Sequence, residues 1–200
     1  MADSGRRYRY LGPPEILAAV VTGGAATPHR GGRAIRTPHA LATWLATVQP
    51  AELTEPFTFV VDLAGVLRLA PRHSEHVACA GGRDVLAAGE ITFSRAGTWK
   101  AGARNGAGQE AGGGESAGRD WVVSEISNQS TGYCPDPDSW PAVAEALDRA
   151  GLAHPDNFTA ALLFRRCPGC LERNVVRDGD FNCALCGADL PQWWNLGAGR

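Results

Sequence analysis

Apolar residues recur at helical spacing in three stretches of the chain. Glu15–Val21 follows Pro13-Pro14, and proline suits the start of a helix because its missing N–H would be unpaired there anyway. The second stretch has Thr37 as N-cap, Pro38 at the first helical position, Leu41, Trp44, Leu45 and Val48 on one face, and Pro50 beyond its end. The third runs from Ser139, read as its cap, to Ala150, with Val143, Ala146 and Leu147 turned inward. Gly151 follows at the position that favours a left-handed residue. Elsewhere the pattern is strand-like: Phe57–Leu63 and Val66–Ala70 joined at Ala64-Gly65, then Val85–Phe93, Trp121–Ile126 and Phe158–Arg166. These elements predict an α+β fold, with about three helices on one side of a mostly antiparallel sheet.

Two glycine-rich stretches interrupt that pattern. Thr22–Arg33 reads as a connector, since its Gly23-Gly24 and Gly31-Gly32 pairs match neither GxGxxG nor GxxxxGK[ST]. Residues 101–118 read AGARNGAGQEAGGGESAG, too poor in apolar groups to offset the entropy of ordering. The expectation there is an expanded hairpin tip within a glycine-rich loop over 95–120. The division expected is a main domain over 1–160 and a C-terminal unit over 161–200.

Composition narrows the function classes. A net charge of -2 over 200 residues argues against wrapping nucleic acid by bulk electrostatics. Only Lys100 among the 19 basic residues is lysine, as a GC-rich bacterial genome favours, so arginine content carries little weight as a nucleic-acid signal. Apolar runs such as Ala160–Phe164 are far too short for a bilayer. The opening Met-Ala-Asp-Ser-Gly-Arg-Arg lacks the apolar region of a secretory signal. Both points lead to the expectation of a cytoplasmic protein without a membrane partner.

The strongest chemical signal is CPGCLERNVVRDGDFNCALCG over 167–187. Cys167 and Cys170 form one CxxC, Cys183 and Cys186 a second, with twelve residues between them. Each CxxC can turn as a knuckle, and four thiolates satisfy a tetrahedral Zn²⁺ with no open position. Asn174–Arg177 and Phe181–Cys183 are strand-like, and Asp178-Gly179 is a hairpin turn signal. Over roughly residues 165–192 the chain resembles the zinc-ribbon family, which implies one structural Zn²⁺ and a fold but no particular activity. Disulfides are disfavoured in a reducing cytosol, and a thioredoxin-like site would have one CxxC at a strand-to-helix junction. Iron in a rubredoxin-type site is the chemical competitor.

Outside that motif His73, His76 and Cys79 recur every third residue, with Glu75 between the histidines. Cys134 is the other cysteine of the main domain. His73-Ser-Glu75 meets the H-x-E of zinc deaminases but lacks their P-C-x-x-C partner. Free cysteines are commonly small core residues. Glu125–Pro135 closes a strand with hydrogen-bonding side chains and Gly132, which suits a ligand loop and a capped turn alike. Together with Ala88-Gly-Glu-Ile91, Ser130–Pro135 resembles C-terminal domains of bacterial polymorphic toxins, which carry a Ser-Gly-His-Tyr-x-Pro turn. Gly132 stands at their histidine, so no role carries over. Three functions stay open. One is a zinc-ribbon protein whose main domain binds a protein partner or small ligand. Another is a hydrolase or transferase, possibly toxin-like, whose catalytic candidates are His73, Glu75, His76 and Tyr133 beside the Asn128–Tyr133 turn. The last is a nucleic-acid-associated factor using Arg165, Arg166, Arg173 and Arg177. Of Trp193 and Trp194, packing on the body is expected.

Overall fold

The computed structural model describes residues 6–23, 31–98 and 120–197. Five strands form one antiparallel sheet: β1 (Arg33–Ile35), β2 (Phe57–Asp62), β3 (Leu67–Ala70), β4 (Val85–Arg95) and β5 (Trp121–Ser127), in the order β1-β3-β2-β4-β5. The helices are α1 (Pro14–Thr22), α2 (Pro38–Leu45), the single turn α3 (His76–Cys79) and α4 (Trp140–Arg149). A two-stranded antiparallel ribbon, β6 (Leu163–Arg166) with β7 (Arg173–Val176), carries the cysteine region. The class is α+β, as the periodicities predict.

The helices, however, cover both faces of the sheet. Phe57, Phe59 and Val61 of β2 pack with Leu41 and Leu45 of α2 and Val143 and Leu147 of α4. On the other side Val60 and Ala88 pack with Val77 of α3, Ile16 and Leu17 of α1, Tyr8 and Tyr133. The signal for this lies in β2 itself. Its Phe-Thr-Phe-Val-Val is a nearly continuous apolar run, whereas a strand with one wet face alternates.

Local chemistry explains most boundaries. Thr37 caps α2, its hydroxyl accepting from the Ala40 N–H at 3.1 Å. Asp62 builds the β2–β3 turn by accepting from the N–H groups of Ala64 and Val66, both at 3.0 Å, and from the Arg68 guanidinium at 2.7 Å. Burial opposes ionisation of that carboxyl, but these donors together hold it below its ordinary value. Gly65 completes the turn at φ +72°, and Gly151 ends α4 at φ +67°.

Four expectations are corrected. Arg33–Ile35 is a strand, paired with β3, where a connector was expected to end. Ser139 makes no capping hydrogen bond: its backbone is already helical, and its buried hydroxyl has no partner among the described residues. The start is set instead by Asp136, whose carboxylate accepts from the Asp138 N–H and opens a 3₁₀ turn leading into α4. The strand expected over Phe158–Arg166 is only β6. Its first half crosses the edge of β5, where Thr159 and Ala160 donate to the Ile126 carbonyl. Phe181–Cys183 forms a single isolated bridge, Asn182 with Asp189, because the chain there must turn into a knuckle. The glycine-rich residues 101–118 lie outside the described residues, as do 24–30 of the first connector. β4 and β5, on either side of residues 99–119, are antiparallel neighbours with Arg95 opposite Trp121.

Candidate metal centre

The two CxxC segments are the same turn made twice. After the first, Leu171 adopts φ +65° and donates to the Cys167 carbonyl at 3.0 Å; after the second, Gly187 at φ +72° donates to the Cys183 carbonyl at 2.9 Å. Left-handed backbone is strained for leucine and free for glycine. Cys167 Sγ accepts from the N–H groups of Gly169 and Cys170 at 3.3 and 3.5 Å. At the other three sulfurs nearby backbone N–H groups act in the acidifying direction: those of Cys186 and Leu185 on Cys183, that of Glu172 on Cys170 and that of Ala188 on Cys186. Such donors favour thiolate over thiol.

Asn174 of β7 ties the two knuckles together. Its Nδ2 donates to the Glu172 carbonyl at 3.1 Å while its Oδ1 accepts from the Ala184 N–H at 3.1 Å. Asp178 and Gly179 both have positive φ, +52° and +73°, as the type I′ turn expected from their sequence requires.

The four Sγ atoms all lie within 4.8 Å of one another. Cys167–Cys186 are 3.5 Å apart and Cys170–Cys183 3.6 Å. A tetrahedron with metal–sulfur bonds of about 2.3 Å has edges of about 3.8 Å, so the donor set fits a metal ion. The electrostatics agree. The N–H groups of Cys186 and Leu185 bring the Cys183 thiol down to about 6. Cys170 also receives an N–H, from Glu172, but desolvation and the facing sulfurs push it up to about 12. Four thiolates this close repel one another, and full ionisation needs a cation among them. Among the described residues this is the one group of three or more His, Cys, Asp or Glu side chains able to share a metal ion.

The remaining candidates occupy several environments. His73 is exposed. Glu75 lines a groove of about 750 Å³ between α1 and α3, with Ile16, Ala19, Val20, Ala78 and Arg83. His76 Nε2 lies 3.0 Å from the Gly89 carbonyl, which fixes it as the donor, and burial holds this histidine below its ordinary pKa. Tyr133 is fully buried; its hydroxyl donates to the Arg83 carbonyl at 2.7 Å, and burial raises its pKa. Glu90 belongs to a separate hollow with Thr92, Glu125 and Gln129. Cys79 and Cys134 are both buried, and desolvation pushes Cys79 up to about 12 and Cys134 upward. The Asn128–Tyr133 turn spends its polar groups internally. Asn128 donates to Pro135 and Leu162 carbonyls and accepts from the Leu162 N–H, and Ser130 Oγ accepts from the Tyr133 N–H. A Cβ on Gly132 would meet the Tyr10 ring at 2.8 Å, so the toxin-type histidine would fit there only with the Tyr10 ring displaced.

Three of the four arginines near the knuckles are committed to backbone carbonyls, Arg165 buried and Arg173 at the surface. Arg165 bonds the carbonyls of Phe164, Pro191 and Gln192, Arg166 that of Leu171, and Arg173 that of Thr131. Trp194 packs against Tyr8, with ring centres 5.2 Å apart, whereas Trp193 is exposed. Among the described residues, no helix is long and apolar enough to cross a membrane. Comparison with protein-family models, with curated proteins and with solved structures finds no match. The sequence placed Asn128 in a hydrogen-bonding turn but not in its tie to Leu162, and it missed the role of Asn174 between the knuckles. Each is a short amide at the end of an apolar run, a placement that a buried structural amide shares with any surface one.

Proposed function

We propose that Cys167, Cys170, Cys183 and Cys186 hold one structural Zn²⁺ ion in a zinc ribbon over 161–200, appended to a partner- or ligand-binding α+β domain over 1–160. The observation that carries this reading is the paired geometry of the knuckles. Four sulfurs within 4.8 Å of one another, two from each knuckle, match the four corners of a tetrahedral site, which leaves no open coordination position for a substrate. A reducing cytoplasm, the compartment proposed, keeps these thiols available. For the main domain, the groove between α1 and α3 supports binding: its volume lies in the range of small-ligand sites, and Glu15, Glu75 and Arg83 edge apolar walls. The catalytic candidates do not converge in that groove, which favours binding over catalysis.

Metal analysis of the purified protein tests the centre. One zinc per chain and a colourless protein are expected; a red, iron-loaded protein or a metal-free chain with folded knuckles would overturn it. Chemical-shift mapping against a small-molecule library tests the groove. Perturbed amides should gather at Ile16, Val20 and Ala78, and shifts scattered over the surface would count against it.

A further inference from the structure

The C-terminal segment grips the loop between β5 and α4 at three points. Arg173, three residues past Cys170, donates to the Thr131 carbonyl at 2.6 Å and lies 3.8 Å from Cys134 Sγ. Trp194 Nε1–H donates to the Cys134 carbonyl at 2.9 Å. Arg165, two residues before Cys167, reaches Asp136 at 3.5 Å, with both side chains buried. Beneath these grips Cys134 holds a left-handed φ of +47° and packs against Phe164, Leu196, Leu162 and Trp194. Its own loop gives it only the carbonyl of Ser130 for its N–H and that of Thr131 for its thiol.

The grips take their positions from the cysteine centre. Arg165 and Arg173 stand on the two strands flanking the first knuckle, and the neighbouring Asn174 is tied to the second through Ala184. Asn195 fixes the tail by pairing with both the N–H and the carbonyl of Arg166. The segment's own buried cluster is small, Cys167, Val176, Cys183 and Leu190, so the placement of β7 and the knuckles relies on the cysteines, while Phe164, Trp194 and Leu196 lean on the loop itself. We propose that metal in the four-cysteine centre latches the C-terminal segment onto the Asn128–Asp136 loop, and that loss of the metal frees the loop and uncovers Cys134. The loop also carries Tyr133, whose hydroxyl holds the Arg83 carbonyl at the edge of the α1–α3 groove. Gly132 accepts from the Leu11 N–H just before α1. The metal state is thereby passed toward that groove. This inference rests on the reading that the centre binds metal.

Cys79 supplies the internal control. It is as buried as Cys134, but its thiol is held by the sheet: Sγ donates to the Arg68 carbonyl of β3 at 3.6 Å, in a cluster with Val60 and Val77 that also includes Tyr133 and Trp194. The full chain, its metal content measured first, is treated with iodoacetamide before and after stripping by a chelator, and each cysteine is followed by peptide mass spectrometry. Stripping should raise the alkylation rate of Cys134 roughly tenfold or more while Cys79 stays protected, the signature of local rather than global opening. Cys134 still protected in metal-free protein would overturn the latch while leaving the metal centre standing. Cys79 rising in step with Cys134 would also overturn it, since the metal would then hold the whole fold. A chain isolated without metal, its labelling unmoved by chelator, would overturn both readings. Arg173→Ala removes one grip and keeps the ligands; it should speed Cys134 labelling about threefold at unchanged metal content. No change there would remove Arg173 from the latch.

Discussion

Around β2 the sheet domain buries eighteen hydrophobic residues in one cluster among the described residues, Phe59 and Val61 completely. The segment from β6 to Leu190 buries four in its own cluster, and two of those are cysteines. At about 25 cal/mol per Å² the first region can offset its chain entropy with apolar burial alone. The second cannot, and its order depends on what its sulfurs hold and on what it leans against. The two regions also differ in how polar groups are used. Asp62 in the sheet domain organises a turn between strands that would pack anyway, whereas Asn174 links two knuckles that have little else to join them.

The largest effect that sharpens this contrast comes from the metal. Structural zinc contributes on the order of 10 kcal/mol in small domains. Cys183→Ser should therefore abolish hydrogen-exchange protection over 167–190 and keep it in β2. Loss spread evenly over the chain would show that the two regions are one folding unit, and unchanged zinc content would remove Cys183 from the ligand set. Acid should act in the same direction, because protons compete with metal for thiolates: the proposed zinc should be held at neutral pH and released as pH falls.

The reciprocal perturbation belongs to the sheet. Phe59→Ala opens a cavity in a fully enclosed site and should cost about 3–5 kcal/mol. The main melting transition should drop while zinc per folded chain stays at that of the parent. Zinc lost in the folded variant would mean that the sheet's packing reaches the cysteines.

Much of this architecture was legible in the residues. Thr37, the Ala64-Gly65 turn, Gly151 and the two CxxC pairs act through neighbours a few positions away, and local patterns report local causes. Asp136 was not legible as the start of α4, because a turn of 3₁₀ helix intervenes and Ser139 offers the more familiar signal. The second helical layer was not either, since α1 buries no residue completely and α3 is a single turn. The reach of Arg165 to Asp136 and of Arg173 to Thr131 depends on how the chain folds back over more than twenty residues, which no spacing encodes. Tyr133 illustrates the converse. Its pattern suits a ligand loop, and only its depth shows the hydroxyl committed to Arg83.

Asn128 stands where the two regions meet, so its loss should register in both. Its amide closes the loop through Pro135 and joins it to Leu162 just ahead of β6. Asn128→Ala leaves those buried groups unpaired, at about 1–3 kcal/mol for each group so exposed. Stability should fall by about 2–4 kcal/mol by the same reckoning, with zinc retained but Cys134 alkylated faster. A variant with parental stability and parental labelling would mean that the loop is held from the ribbon side alone.

The smallest effect concerns protons in the sheet region. His76 is held below its ordinary pKa, chiefly because burial penalises the imidazolium, while its Nε2–H is committed to Gly89. Unfolding returns it to an ordinary value near 6.5. Below that pH the unfolded chain binds a proton that the folded chain refuses, so unfolding becomes easier as pH falls. The contribution is complete above about 6.5 and declines from there down to the folded value. His76→Gln keeps a donor for Gly89 and cannot titrate. Its melting temperature should follow the parent above pH 7 to within a constant offset, then fall less steeply between about pH 6.5 and pH 5. Asp62 adds a second decline at lower pH. Its folded pKa lies below the ordinary carboxylate value, so its stabilisation is present above that value and lost as pH drops through the folded one. Parallel melting curves for parent and His76→Gln down to pH 5 would show that His76 takes up its proton as readily in the fold as outside it. The acid sensitivity between pH 6.5 and pH 5 would then belong to the cysteine centre rather than to the sheet.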